Sequence, residues 1–195
     1  MSERDWTVLF IGGASGTGKS CLAHALAGVY RTRVTEVDDL YQVVKAVTTK
    51  DRYPAVHHWS TGEDWMDVSI SDNVAWLIRV SKEMIPAQKS LAERYIEDDL
   101  PAIIEGDFIH PEFTASLGNP KIKSLFVLEP DREQLSLNYL AREGGELQRY
   151  RAEVSAAHGE QLAAACAALG IPVIEARPWD TVVARAMDAL AQMQR

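Results

Sequence analysis

The stretch Gly13-Ala14-Ser15-Gly16-Thr17-Gly18-Lys19-Ser20 matches the pattern G-x-x-x-x-G-K-[ST] of a phosphate-binding loop at every fixed position. The glycines of such a loop let backbone N–H groups approach phosphate oxygens, because a Cβ would block that approach. Lys19 is expected to reach the β- and γ-phosphates, and the Ser20 hydroxyl to hold Mg²⁺. The stretch therefore predicts a site for a nucleoside triphosphate such as ATP.

The motif requires a strand before the loop and a helix after it, and the neighbouring residues fit both. The apolar run 6–11 (WTVLFI) is typical of a buried parallel strand, and 21–27 (CLAHALA) is rich in helix formers. The start of that helix would add its positive dipole end to the phosphate site. We assign nucleotide contacts to the loop and the residue after it: Gly13, Ala14, Ser15, Gly16, Thr17, Gly18, Lys19, Ser20 and Cys21.

Composition limits the class of protein. The chain has 195 residues, long enough for one α/β domain, and its net charge of −8 argues against a general affinity for nucleic acid or anionic membrane. Its two cysteines, Cys21 and Cys166, are expected to be small buried side chains and not a disulfide framework. The polar N-terminus indicates no signal peptide, and no apolar run is long enough to span a bilayer, so the expected compartment is the cytoplasm.

Five predicted strands alternate with helices along the chain. The strands fall near 6–11, 32–37, 101–106, 121–129 and 171–175. Helices are predicted near 21–27, from Leu40 to about Val47, from Ser71 to about Leu100 with a kink or break at Pro86, and over 131–142, 147–169 and 180–193. Residues 48–69 show no periodicity and predict a long irregular connection. The pattern predicts an α/β fold with a parallel sheet flanked by helices on both faces, whose carboxyl edge binds ligands.

Two adjacent carboxylates, Asp38 and Asp39, follow the second strand. A phosphotransferase needs a carboxylate that accepts the proton of the acceptor hydroxyl and orients it toward the γ-phosphate. An Asp at this point suits the N-cap of the following helix equally well. Both roles stay open, and two neighbouring carboxylates allow one residue for each.

Glu105 ends the third strand and is followed by Gly106 and Asp107. A carboxylate at the end of an apolar strand beside the phosphate loop is suited to anchor Mg²⁺ through its water shell. Burial of this side chain next to isoleucines would be costly without a cation. The alternative is a solvated turn carboxylate, and Asp107 is the second candidate for the metal.

These elements together resemble the P-loop small-molecule kinases, and most nearly the group of 2-phosphoglycerate kinase, uridine kinase and phosphoribulokinase. The resemblance rests on the loop at 13–20, the box Asp38-Asp39-Leu40-Tyr41 and the segment Ile103-Ile104-Glu105-Gly106 in that order. It implies Asp38 as the carboxylate that contacts the acceptor hydroxyl and Glu105 as the carboxylate on the Mg²⁺ side. It also implies a three-layer fold with the sheet order 2-3-1-4-5.

The same resemblance implies an arginine-bearing lid over the transferring phosphoryl group. Arg142, Arg149 and Arg151 bracket Gly144-Gly145, and we predict a lid over about 142–152 with Arg142 and Arg149 as catalytic candidates. Ion pairs of these arginines with Glu143 and Glu146 on a solvated helix face are an equal alternative.

Arg177 and Trp179 follow the last strand, where the resembling family places the adenine base. Either side chain could stack on that base; plain packing of the Trp is the alternative.

The irregular segment is the candidate acceptor site, within an expected insertion over about 48–100 of a single domain. It offers side chains that could hold a phosphate, a carboxylate or a ring: Arg52, His57, His58, Trp59 and Trp65. The sequence thus predicts an ATP- and Mg²⁺-dependent phosphotransferase that acts on a small-molecule acceptor and binds neither nucleic acid nor membrane. The alternative is a nucleotide-dependent regulatory or binding protein with slow ATP hydrolysis.

Overall fold

The first strand, β1 (Val8–Gly13), is buried along its whole length in a computed structural model that describes residues 4–58 and 65–193. Its side chains alternate between two hydrophobic clusters. Val8 and Phe10 belong to one cluster, and Leu9 and Ile11 belong to the other. A strand covered on both faces needs apolar residues at consecutive positions, which explains the unbroken apolar run in this part of the sequence.

Four more strands complete a parallel sheet around β1. They are β2 (Arg33–Glu36), β3 (Ala102–Gly106), β4 (Ile122–Leu128) and β5 (Val173–Glu175). The sheet order is β2-β3-β1-β4-β5, and Ile11 of β1 lies opposite Glu105 of β3 and Leu125 of β4. The predicted five-stranded parallel sheet and its order are confirmed.

Helices cover both faces of the sheet, as predicted. In chain order they are α1 (Lys19–Tyr30), α2 (Val37–Val47), α3 (Ile70–Glu97), α4 (Pro111–Ser116), α5 (Arg132–Glu143), α6 (Arg149–Leu169) and α7 (Val182–Gln192). α1 and α7 pack on the Leu9 side of β1 through Leu22 and Leu190. α3, α4 and α6 pack on the Phe10 side through Met84, Phe113 and Leu162.

Three elements differ from the sequence prediction. α2 begins at Val37, so Asp39 lies inside the first helical turn and cannot be its N-cap; the N-cap residue is Glu36, without a side-chain cap bond. α3 runs through Pro86 without a break, because on either side of it Met84 is buried in the core and the Gln88 amide donates to the Phe108 carbonyl at 2.8 Å. The short helix α4 begins with a proline and was not predicted.

The irregular connection is confirmed for residues 48–57, which form no helix or strand, and a 3₁₀ turn covers Trp65–Asp67. Glu83 of α3 holds this connection by accepting hydrogen bonds from the Ala55 and Val56 amides at 3.0 and 2.9 Å. Trp59 lies outside the described residues. None of the helices in the described ranges is long and apolar enough to cross a membrane.

Candidate functional site

The phosphate loop connects the end of β1 to the start of α1 at the carboxyl edge of the sheet. Gly13 has φ of 147°, and a Cβ on it would lie 2.5 Å from the Val127 carbonyl oxygen. The Thr17 hydroxyl is buried and donates to the Ala14 carbonyl at 3.0 Å, so its side chain holds the loop and does not face a ligand. The loop is therefore a tight cradle of backbone amides in which glycine is required at the strand end.

A side chain of α5 supports the loop from outside. The Asn138 amide donates to the Gly16 carbonyl at 2.8 Å, and the Gln134 amide donates to the Asn138 side-chain oxygen at 2.8 Å. Sequence reasoning missed both residues. Their spacing of four places them on one helix face, but nothing local indicates a partner 122 positions away.

A first cavity of about 570 Å³ opens between the loop, α5 and the segment after β5. Its walls include Lys19, Ser20, Cys21, Asn138, Arg142, Arg177 and Trp179. The Trp179 ring packs against Gly18, where a Cβ would lie 2.8 Å from the ring, and 43% of the residue remains exposed. The size and the backbone cradle fit a nucleoside triphosphate.

Arg177 is fixed at the edge of this first cavity. Its guanidinium donates two hydrogen bonds of 2.8 Å to the buried Glu129 carboxylate and a third of 3.2 Å to Asp131. These bonds use Nε and Nη2 and fix the plane of the guanidinium, whose flat face and Nη1 remain for a contact with a base. The base-stacking roles of Arg177 and Trp179 stay predictions.

Lys19 forms an ion pair with Asp107 and is only 7% exposed, so it does not face open solvent. Burial alone would lower the pKa of this ammonium, but the nearby charges of Asp107 and Glu105 reverse that effect and leave the pKa above its ordinary value. Lys19 is therefore a cation held at the bottom of the loop, balanced by carboxylates from the β3 end.

Glu105 lies beside Ser20 and is 2% exposed. Within the described ranges its Oε2 atom has no hydrogen-bond partner. Burial raises the pKa of this carboxyl, against the opposing effects of the Lys19 charge and a hydrogen bond with Ser20. An unpartnered buried carboxylate oxygen next to a hydroxyl fits an oxygen-seeking cation such as Mg²⁺. No group of three or more His, Cys, Asp or Glu side chains suited to a metal occurs in the described chain, so phosphate and water oxygens would have to complete the shell.

Asp38 and Asp39 lie exposed on the first turn of α2. Partial burial raises the pKa of Asp38, as does the charge of Asp107, while Lys19 and Arg142 oppose the shift. Asp39 has no hydrogen bond or ion pair within the described residues. Neither residue is among the described walls of the first cavity. The charges of Lys19 and Asp107 thus act on the Asp38 carboxylate.

The arginines near Gly144-Gly145 have different surroundings. Arg142 lines the first cavity and donates to Glu143 at 3.1 Å, whereas Arg149 is exposed and pairs with Glu133 at 3.3 Å. Arg151 donates to Glu143 and to Gln148 at 3.0 Å, and its guanidinium carbon lies 4.2 Å from the centre of the Tyr139 ring. Hydrogen bonds from Gln148 and the two arginines lower the pKa of Glu143 to about 2. The arginines form ion pairs, which the sequence left open as an alternative to a role over the phosphoryl group. Their partners are Glu143 and Glu133.

A second cavity of about 400 Å³ lies on the other side of the loop. Its walls include Trp65, Asn73, Trp76, Asp107, Gln148 and Arg151. Of the acceptor residues predicted from sequence, Arg52 is exposed, His57 shares a 3.0 Å hydrogen bond with Thr48, and the His58 ring lies 6.5 Å from that of Trp76. None of these three belongs to the described walls of the second cavity. Asn73 and Trp76, three apart on one face of α3, were missed.

His158 of α6 is buried beneath this region, 1% exposed, and neither ring nitrogen has a hydrogen-bond partner in the described structure. Burial lowers the pKa of His158 to about 4, and the charges of His110 and Lys19 act in the same direction against that of Asp107. The ring is therefore neutral at physiological pH.

The two cysteines differ in exposure. Cys166 is buried, whereas Cys21 is exposed and lines the first cavity, contrary to the expectation that both are buried.

Comparisons with known proteins support the fold. No protein-family model matches the chain, and no curated protein matches it. A gluconokinase from Sinorhizobium meliloti 1021 superposes with a TM-score of 0.52 at 14% identity, over 97% of this chain and 93% of that one. A structure from Chloroflexus aurantiacus j-10-fl, described only provisionally as a kinase, gives 0.51 at 14% identity over 98% of both chains. The chain therefore has the fold of the P-loop small-molecule kinases.

Proposed function

We propose that this chain transfers the γ-phosphoryl group of Mg²⁺·ATP to a hydroxyl of a small metabolite. The observation that carries the proposal is the position of the Lys19–Asp107 ion pair between the two cavities. Lys19 lines the first cavity, Asp107 lines the second, and the two side chains are in contact. A phosphotransferase needs two such sites that meet at the reacting phosphorus, whereas a simple nucleotide hydrolase needs only one.

In the proposed reaction, the acceptor hydroxyl oxygen forms a bond to the γ-phosphorus as the bond from that phosphorus to the β–γ bridging oxygen breaks. The proton of the hydroxyl passes to a carboxylate, for which we propose Asp38, and ADP leaves. Lys19 and the loop amides stabilise the phosphate charge, and Arg142 adds a cation from the lid side. Ser20 and Glu105 would hold Mg²⁺, which neutralises phosphate charge when bound.

The nucleotide part of the proposal is tested with Lys19→Ala and Ser20→Ala. We expect both variants to lose Mg²⁺·ATP turnover while thermal unfolding shows an intact fold, because each removes a group that contacts phosphate or metal. Lys89→Ala is a matched control, since Lys89 is an exposed lysine of α3 whose only described partner is Glu93 at 3.8 Å. Unchanged turnover in Lys19→Ala would contradict the proposal.

The acceptor part is tested by ADP release with and without a panel of hydroxylated metabolites. We expect slow hydrolysis without acceptor and an increase of orders of magnitude with the right compound, because water is poorly positioned for attack in the absence of the acceptor. If a protein partner and no metabolite stimulates ADP release, the chain is a nucleotide-dependent regulatory protein instead.

A further inference from the structure

The second cavity has walls that are mostly apolar. Trp65, Trp76, Leu77, Phe108 and Val154 contribute flat aromatic or aliphatic surface. The two indoles are fixed by their own contacts: Trp76 donates to the Ala55 carbonyl at 2.9 Å, and the Trp65 ring lies 5.4 Å from that of Tyr150. The cavity therefore offers rigid faces to the body of a ligand.

The polar groups in these walls are largely occupied by one another. The Asn73 amide donates to the Trp65 carbonyl at 2.9 Å and to the Tyr150 hydroxyl at 3.1 Å. The Ser155 and Tyr139 hydroxyls are hydrogen-bonded at 2.6 Å. The Gln148 amide donates to Glu143 at 2.7 Å, and its oxygen accepts from Arg151. Few of these groups are left to receive the hydroxyls of a polyol.

Arg151 is the exception. All its hydrogen bonds within the described chain are made by Nη1, which leaves the N–H groups of Nε and Nη2 without protein partners. The guanidinium is kept in place by the Tyr139 ring below it and already binds one carboxylate, that of Glu143. A half-buried guanidinium with free donors on a cavity wall is suited to an anionic group.

On this basis we propose that the second cavity takes an acceptor with a flat, mainly apolar ring that bears one carboxylate or phosphate group and one reacting hydroxyl. The anionic group binds Arg151, the ring lies among Trp65, Trp76 and Phe108, and the hydroxyl lies at the Asp107 end of the cavity, where Asp38, the base proposed above, receives its proton. This inference rests on the proposed function, because it identifies the second cavity as the acceptor site. A polyhydroxylated acid is disfavoured, since each hydroxyl buried without a hydrogen-bond partner gives up its bonds to water without replacement.

Glu143 competes with the acceptor anion for Arg151. Its carboxylate occupies Arg151 and also contacts Arg142, which lines the first cavity. An incoming anion has to share or replace this contact. Glu143 is therefore a competitor of the acceptor, and its removal strengthens acceptor binding.

The test measures binding to the full chain without nucleotide, by calorimetry, so that it is independent of ATP turnover. The probes are 3-(hydroxymethyl)benzoate, 3-(hydroxymethyl)phenyl phosphate, D-gluconate and benzyl alcohol. We expect at least one of the two ring anions to bind tenfold or more tighter than gluconate and benzyl alcohol. The first two probes distinguish a carboxylate from a phosphate. Equal or tighter binding of gluconate, or no binding of either ring anion, would overturn the proposal.

Two variants test whether the anionic group of the probe binds Arg151. Arg151→Gln should weaken ring-anion binding tenfold or more and leave benzyl alcohol unaffected, with partial recovery in Arg151→Lys. Glu143→Gln should strengthen ring-anion binding severalfold. Arg132→Gln is the control, because Arg132 forms exposed ion pairs with Glu153 and Glu160 on the outer side of α5 and α6. If Arg151→Gln has no effect, or if Glu143→Gln weakens binding as a merely structural residue would, the assignment is wrong.

Discussion

The carboxylates around Lys19 differ in what surrounds them, and so do the effects expected from their removal. Asp107 is ion-paired, Glu105 is buried with an unpartnered oxygen, and Asp38 lies at the exposed side with a raised pKa. A base for a hydroxyl works best when its pKa is shifted toward the working pH and the proton acceptor remains accessible. Among the three, Asp38 combines both properties.

Asp38→Asn should therefore bind nucleotide normally and lose about 10²–10⁴-fold in acceptor-dependent ADP release. Asp39→Asn should stay active, because Asp39 is exposed and lies inside the first turn of α2, where its charge contributes only about 0.3–1 kcal/mol through the helix dipole. Measuring turnover and nucleotide affinity for both variants tests whether Asp38 is the base. If Asp38→Asn is active and Asp107→Asn is dead with nucleotide binding intact, Asp107 is the base.

The places of the loop 13–20 and of Glu105 in the fold could be predicted because their signals are local. The loop 13–20 and Glu105 each follow directly from a short apolar strand, so chain position alone places them at the carboxyl edge. Asn73, Gln148 and Arg151 could not be placed in the same way, since their common cavity forms only when α3 and α6 pack together. Arg52, His57 and His58 were predicted from their chemical type alone, and they are not among the described walls of the second cavity.

At the scale of elements, α5 holds the phosphate loop in shape through one side chain. Asn138→Ala removes the donor to the Gly16 carbonyl, so the loop amides are less well fixed before the nucleotide arrives. A net hydrogen bond contributes about 0.5–1.5 kcal/mol, and we expect Mg²⁺·ATP affinity to fall about 3- to 10-fold. Calorimetric titration measures this change.

Asn119→Ala is the matched control for that titration. Asn119 lies in the turn before β4, at the opposite edge of the sheet, where its side chain accepts from the Lys121 amide at 2.9 Å. Its loss should leave nucleotide affinity unchanged. An equal loss of affinity in both variants would show that general destabilisation, and not the α5 contact, weakens binding.

Element boundaries were predicted well where a cap or breaker acts within a few residues. Asp131 caps α5 by accepting from the Glu133 and Gln134 amides, and Gly170 ends α6 in a left-handed conformation. At Pro86 the sequence predicts a kink or a break; the break is absent, because tertiary packing of α3 outweighs the loss of one helical hydrogen bond. The start of α2 was misplaced by three residues for a related reason: its N-cap, Glu36, makes no side-chain cap bond that the sequence could reveal.

At the scale of the whole molecule, stability should depend on pH through His158. The pKa of this ring is about 4 in the folded chain against 6.5 ordinarily, so the unfolded chain binds more protons between these values. Stability from the neutral ring is complete above pH 6.5 and is lost as the pH falls toward 4. Between pH 7 and pH 5 we expect the loss to be about 2 kcal/mol of unfolding free energy.

Denaturant unfolding of the wild type and of His158→Gln at several pH values isolates this effect. Glu105 and Asp38, whose pKa values are raised, act in the opposite direction in both proteins and cancel in the comparison. The free-energy difference between the two proteins should shrink as the pH falls from 7 to 5. A difference that does not change with pH would mean that His158 is hydrated or protonated in the folded state.

The exposed thiol of Cys21 has a practical consequence. Cys166 is fully buried, so a thiol reagent applied to the folded chain has one accessible target, and that target lies on the wall of the first cavity. The rate at which the chain gains the mass of the reagent then reports how accessible the first cavity is. A compound that fills the cavity should slow the labelling in proportion to its occupancy. The chain thus carries a native chemical probe with which ligands of the first cavity can be ranked.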